Sequence, residues 1–215
     1  MQTKLFSFFI IFTFILSSCS VNKAKSDDSL QQVFEKYNSK GCFSFLNNAT
    51  GEITVYNIGA DTTRYIPGTS FHIPLSLFAL QSGIVPNENT SIQSGDSAQK
   101  IQCASLISAF QNNEDSCYSM IAKKMTEPVF KKWLDSLHYG NTKTGKDFSE
   151  CWNDKSLSIS PDEQLGLMKK LYFDQLAFRQ SVQKSVRDMM KAEDNNLYTL
   201  SWKQSNPIKT TDGTY

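Results

Sequence analysis

Residues 65–80 read YIPGTSFHIPLSLFAL. A Pro67–Gly68 step feeds two hydroxyls, a phenylalanine and a histidine, and then an apolar pattern at helical spacing. The pattern predicts a helix over 69–82, with Pro67 and Gly68 in the loop before it and Gly83 at its end. Two readings of its start stand side by side. In one, Thr69 is a helix cap and His72 a half-buried polar residue bonded to a neighbour. In the other, Thr69 and His72, at i and i+3, share a helix face as a hydroxyl nucleophile and the imidazole that takes its proton. An unperturbed imidazole titrates near pH 6.5, so it is mostly a free base at neutral pH. The branched Cβ of a threonine narrows its rotamers and crowds an attack path.

Upstream, Gln2–Ser18 have a lysine followed by an apolar run, the layout of a secretory signal. The run ends in LSSC, Leu16–Cys19, which resembles a bacterial lipoprotein signal. That likeness implies cleavage after residue 18, lipidation of Cys19, and a membrane-anchored protein of the cell envelope facing the periplasm. Residues 19–28 then read as a polar tether and 29–215 as one domain, long enough for a real core. Hydrophobic content of 40% and aromatic content of 12% suit a globular chain. A net charge of +1 without any basic stripe argues against nucleic-acid binding. Cys42, Cys103, Cys117 and Cys151 show no zinc spacing, so no metal or other cofactor is expected. In an exported chain these cysteines allow three disulfide pairings, among which the sequence does not choose.

Along the domain, Leu30, Val33, Phe34 and Tyr37 repeat at helical spacing, with Asp27 or Asp28 as cap. CFSFLN and EITVYN, joined by the turn-rich NATG, predict a hairpin. Residues 104–124, 126–138 and 179–192 read as helices. SPDEQLGLMKKLY, from Ser160, opens with a cap, a first-turn proline and Glu163 to complete a capping box. LYTLSWK, Leu197–Lys203, alternates as a strand does. Strands at both ends with helices between predict an α+β domain whose terminal strands share one antiparallel sheet.

PGTSFHIPLSLFALQSGIV resembles the nucleophile region of the class D β-lactamases, in which Pro-x-Ser-Thr-Phe-Lys-Ile-Pro precedes an apolar helix and a glycine; Pro67, Phe71, Ile73, Pro74 and Gly83 fit. Tyr139-Gly140-Asn141 matches a motif special to that class, Trp152 falls at the place of its loop tryptophan, and YTLSWKQSN resembles the strand bearing Lys-Thr-Gly. The likeness runs from about residue 34 to 206. It implies a β-lactamase/transpeptidase-like fold, a penicillin-recognising hydrolase of the antibiotic-resistance type, and a β-lactam or peptidoglycan-like ligand. The departures fall on the chemistry. Thr69 stands at the nucleophilic serine and His72 at the lysine that the family carries as a carbamate. Ser-x-Val becomes Asn113-Glu114-Asp115 without a gap, or Ser116-Cys117-Tyr118 with one, and Lys-Thr-Gly becomes Lys203-Gln204-Ser205. An imidazole cannot carry a carbamate, so Trp152, which holds that group in the family, is expected to have lost its charged partner.

The resemblance therefore implies Thr69 and His72 as catalytic residues, and Asn113, Tyr139, Gly140, Asn141, Trp152, Lys203 and Gln204 as substrate-binding ones. Each has a plainer reading: Tyr139–Asn141 a tight turn, Trp152 a core residue, Lys203 a solvated strand lysine rather than a cation for a ligand carboxylate. Two function classes follow: an impaired β-lactamase acylated at Thr69, or a non-catalytic envelope lipoprotein that keeps the fold to bind a ligand or partner. The chain also stops before the family's last strands and helix, so a shortened domain with an open sheet edge and low stability is a third expectation. A literal KTG at Lys143–Gly145 directly follows the YGN motif and reads as a loop. Ser97/Lys100 and Ser181/Lys184 repeat Ser-x-x-Lys without the proline-rich turn.

Overall fold

A computed structural model describes residues 24–93 and 102–205. The signal stretch, Cys19 and the Ser97/Lys100 pair lie outside the described residues. Three strands form the first sheet in the order β1 (Ala24–Ser26), β3 (Ile53–Tyr56), β2 (Phe43–Leu46), with β1 parallel and β2 antiparallel to β3. Residues 24–26, inside the stretch read as a tether, are thus a strand. Asp27 then caps a 3-10 turn by accepting from the Ser29 amide at 2.9 Å, and α1 (Gln31–Lys36) and the short α2 (Ile58–Asp61) flank the sheet.

The centre of the molecule is α3 (His72–Gln81), preceded by a 3-10 turn over Gly68–Phe71. Every residue from His72 to Leu80 is buried, as expected of a helix apolar on all sides. Gly83, at φ +70°, adopts the left-handed conformation that ends a helix cheaply, and the Arg179 guanidinium donates to the Leu80 carbonyl at 3.0 Å. Around α3 pack α5 (Asp115–Lys124), α6 (Glu127–Leu137) and α8 (Gln180–Met189), with α4 (Leu106–Gln111) beside α5 and α7 (Pro161–Tyr172) against β2. Phe71 is an aromatic hub, stacked on Trp152 at 5.3 Å between ring centroids and meeting Tyr139 edge-on at 5.2 Å. The capping box of α7 forms as expected: the Glu163 amide donates to Ser160 Oγ, and the Ser160 amide to Glu163 Oε2.

The α+β class and the β2–β3 hairpin match expectation. Two particulars differ. The described N-terminal and C-terminal strands sit in separate ladders: β7 (Thr199–Ser201) pairs antiparallel with β6 (Lys191–Asp194), and a two-residue ladder joins β4 (Ile92–Gln93) to β5 (Gln102–Cys103). β7 is short and exposed along its length, so hairpin pairing with the adjacent β6 satisfies it locally. The single helix expected over 104–124 is broken into α4 and α5, because Asn113 takes a left-handed backbone at φ +56° between them. Of the three disulfide pairings left open, the structure joins Cys103 to Cys117; Cys42 and Cys151 are free thiols.

Candidate active site

Thr69 lies in the 3-10 turn and His72 is the first residue of α3. In 3-10 geometry side chains at i and i+3 eclipse, so both project from the same side of the turn. Thr69 is not at the capping position, which Pro67 occupies. Its hydroxyl instead donates across the molecule to the Gln204 carbonyl at 3.2 Å. Ser205 Oγ donates to the Pro67 carbonyl at 3.1 Å, so residues 204–205 lie over the turn and leave Thr69 1% exposed.

Lys203, beside them, donates its ammonium to the Phe110 carbonyl and to Asn113 Oδ1, and stands 4.2 Å over the Phe110 ring. Burial pulls its pKa down to about 8, against the pull of Asp115. It is neither a solvated strand lysine nor far from the turn. The Asn113 contact also fits the ungapped register, whereas Ser116 of the shifted register is exposed. A cleft of about 320 Å³ opens here, lined by Phe110, Asn113, Met190, Lys203 and Gln204 among others.

His72 is completely buried, more than a half-buried neighbour-bonded residue requires. Its ring lies flat on Tyr118, centroids 3.7 Å apart and planes 6° from parallel. Ser76 Oγ gives its proton to the His72 carbonyl at 2.7 Å, so the Tyr118 hydroxyl is the donor in their 2.8 Å contact. Nε2 of His72 is 2.9 Å from Asp115 Oδ1, and Trp152 Nε1 donates to that same oxygen at 3.1 Å. Trp152 has therefore kept a charged partner, supplied by a side chain of α5, and the expectation that it had lost one is corrected.

Burial pushes the Asp115 carboxyl upward, but the hydrogen bonds from His72 and Trp152 outweigh it and hold the group below its ordinary value. Burial lowers the His72 pKa, with Asp115 opposing and Lys203 adding to the fall. At neutral pH the pair is an ionised carboxylate and a neutral imidazole. An ionised carboxylate only accepts, so Nε2 carries the hydrogen and Nδ1 the lone pair. Nδ1 is buried and has no hydrogen-bond partner among the described residues.

The YGN motif stands apart from this cluster and buttresses it. Tyr139 is buried, and its hydroxyl reaches Gln164 Oε1 at 3.3 Å. Asn141 donates its side-chain amide to the Ser156 carbonyl at 2.7 Å and accepts the Ser158 amide at 3.1 Å, holding the loop that carries Trp152. That loop is tied to the turn carrying Thr69, where the Gly68 amide donates to the Trp152 carbonyl at 3.0 Å. Trp152 itself is both core and contact. The KTG at Lys143–Gly145 is loop, as expected, and Ser181 and Lys184 lie on α8.

Thr69, His72, Asn113, Trp152, Lys203 and the Gln204 backbone thus form one neighbourhood. Asp115 and Tyr118 belong to it too, and sequence reasoning gave neither of them a role. A signal for Asp115 was present: Asn112-Asn113 inside an expected helix favours a break, and an acid just after a break sits in a first helical turn.

The penicillin-binding-protein transpeptidase domain model matches residues 23–208. The chain is 32% identical over 178 residues to β-lactamase OXA-20 of Pseudomonas aeruginosa, covering 80% of this chain and 66% of the relative. It is 31% identical over 183 residues to the regulatory protein BlaR1 of Bacillus licheniformis, covering 81% of this chain but 30% of that protein. The chain therefore spans just under two thirds of one of these relatives and under a third of the other. The crystal structure of a class D β-lactamase from Sebaldella termitidis superposes with a TM-score of 0.78 at 26% identity, covering 86% of this chain and 76% of that one. With the family model matching residues 23–208, the chain belongs to the penicillin-binding-protein transpeptidase domain family, with class D β-lactamases among its relatives.

Proposed function

We propose that this protein recognises β-lactams or peptidoglycan-like ligands and is slowly acylated at Thr69, with His72 as the base. The observation that carries this reading is the convergence of Thr69, His72, Asn113 and Lys203 on one site, with a neutral imidazole beside the threonine turn. In the step proposed, Thr69 Oγ1 attacks the lactam carbonyl carbon and its proton passes to His72 Nδ1. The C–N bond then breaks and the nitrogen takes that proton, leaving a threonyl ester. Lys203 is the cation for the ligand's carboxylate. Hydrolysis of the ester needs water delivered to the same buried base, and with Thr69 covered by Gln204 turnover is slow. Intact-mass measurement after incubation with a penicillin tests the reading. An adduct in the wild type that disappears in Thr69→Ala supports it, and an unmodified mass removes it.

A second reading is favoured by the 1% exposure of Thr69: a non-catalytic protein that keeps the scaffold for ligand or partner binding. The double change Thr69→Ser with His72→Lys separates the two. Activity gained there, with none in the wild type, identifies a silenced enzyme. We also propose attachment to the cell envelope through a lipid on Cys19, on the strength of the apolar run and the LSSC ending. Detergent-phase partitioning that is lost in Cys19→Ala checks it.

A further inference from the structure

We infer that Asp115 is the positioning residue of this site, its carboxylate fixing His72 in the tautomer whose Nδ1 lone pair serves as the base. The inference deepens the acylation reading and rests on it for its kinetic arm only. Four observations converge. Asp115 Oδ1 receives both His72 Nε2 and Trp152 Nε1, so the oxygen is held from two sides. Asp115 opens α5, a helix of 10 residues, where the N-terminal end favours a negative charge. The flat contact with Tyr118 fixes the plane of the imidazole, so the ring has little freedom except to flip. Finally, Nδ1 is a buried acceptor with no donor among the described residues, a costly arrangement for a side chain with only a structural role. Among the described residues, the charged and titratable groups facing the ring are Asp115 and Tyr118 from α5 and Lys203 from the segment after β7.

A carboxylate on one ring nitrogen leaves the other as a lone pair and stabilises the imidazolium formed when that lone pair takes a proton. Both effects need the charge of Asp115, and neither needs it to touch the ligand. The group stands where the family resemblance expects a carbamate beside the loop tryptophan, so a side chain here supplies a carboxylate that the missing lysine does not.

The test begins with the intact wild-type chain, whose two histidines are told apart by His138→Gln. Long-range nitrogen–proton NMR at neutral pH is expected to show His72 with a protonated Nε2 and a bare Nδ1. A charged ring or the opposite tautomer overturns the inference, whatever the variants do. Asp115→Leu is then expected to mix the tautomers, to slow acylation at Thr69 by about a hundredfold, and to move the acid limb of its pH profile to lower pH, because the carboxylate that raised the His72 pKa is gone. An unchanged tautomer or an unmoved acid limb in Asp115→Leu assigns the residue to folding alone. If the wild type forms no adduct, the acylation reading fails, while the NMR result still decides the role of Asp115.

Discussion

The carbonyl oxygen of Ser158 occupies the space into which a side chain on Gly140 would grow: a Cβ there would lie 1.9 Å from it. Gly140 also has φ +52°, in the left-handed region. The next amide, Asn141 N–H, donates to that Ser158 carbonyl at 3.0 Å, so the two segments cannot separate without losing the bond. This close approach anchors the loop carrying Trp152 and is the physical reason for a glycine in the YGN motif. Gly140→Ala is expected to cost at least about 2 kcal/mol through the clash and the strained backbone. Gly166→Ala is the control: that glycine lies in α7 with open space around its Cβ, and alanine there should add up to about 1 kcal/mol. Urea melts of both variants check the contrast, and equal midpoints would remove the close-approach argument.

The Cys103–Cys117 bridge ties β5 to α5 two residues after Asp115, the two cysteines standing 14 positions apart along the chain. Closing a loop of that length restricts the unfolded chain by an amount worth about 3 kcal/mol. Cys103→Ala with Cys117→Ala should lower the denaturation midpoint accordingly. It should also loosen the start of α5, seen as faster amide exchange at Ser116–Tyr118. If reductant and the double variant both leave stability untouched, the bridge does not form in solution.

Because the carboxylate beside Trp152 belongs to Asp115 and the lysine position holds an imidazole, acylation should not depend on dissolved carbon dioxide. The adduct-forming rate is expected to be the same in degassed buffer and in buffer with added bicarbonate. A several-fold gain on adding bicarbonate would point to a carbamate elsewhere in the site and remove Asp115 from that role.

How legible the molecule was from its sequence depends on the range of the interactions involved. The capping box at Ser160 and Glu163, the glycine ending α3 and the β2–β3 hairpin are local, and they formed where local chemistry put them. The Asn113 break was misread because the apolar spacing of 104–124 runs straight through it; the side chains on either side still pack as helix while the backbone turns. That turn is what points Lys203 at Asn113 and Asp115 at His72. These contacts join residues 90 and 43 positions apart, and no periodicity encodes such pairings. The motif resemblance located the neighbourhood, but it named Thr69, His72 and Trp152 by position and carried no slot for an acid at 115. The covering of Thr69 by the Gln204 carbonyl, 135 positions away, was beyond any reading of the turn alone.

The burial of His72 makes stability depend on pH in a window set by its lowered pKa. In the unfolded chain the imidazole titrates near its ordinary 6.5, and in the folded protein it does so lower. Below pH 6.5 the unfolded chain takes up a proton that the folded protein refuses, so unfolding is favoured as pH falls toward the folded value. Above 6.5 both states are neutral and this contribution is flat. The slope cannot exceed about 1.4 kcal/mol per pH unit for one group. Asp115, Glu88 and Glu163 have carboxyls held low, so their stabilisation is lost only below their ordinary values of 3.8 to 4.5, outside the window. Urea midpoints between pH 7.5 and 5 should therefore decline for the wild type and stay nearly level for His72→Phe, which keeps a flat ring against Tyr118 and leaves Trp152 to hold Asp115. A decline of the same slope in the variant would mean that another group sets the pH dependence, and that folding does not lower the His72 pKa.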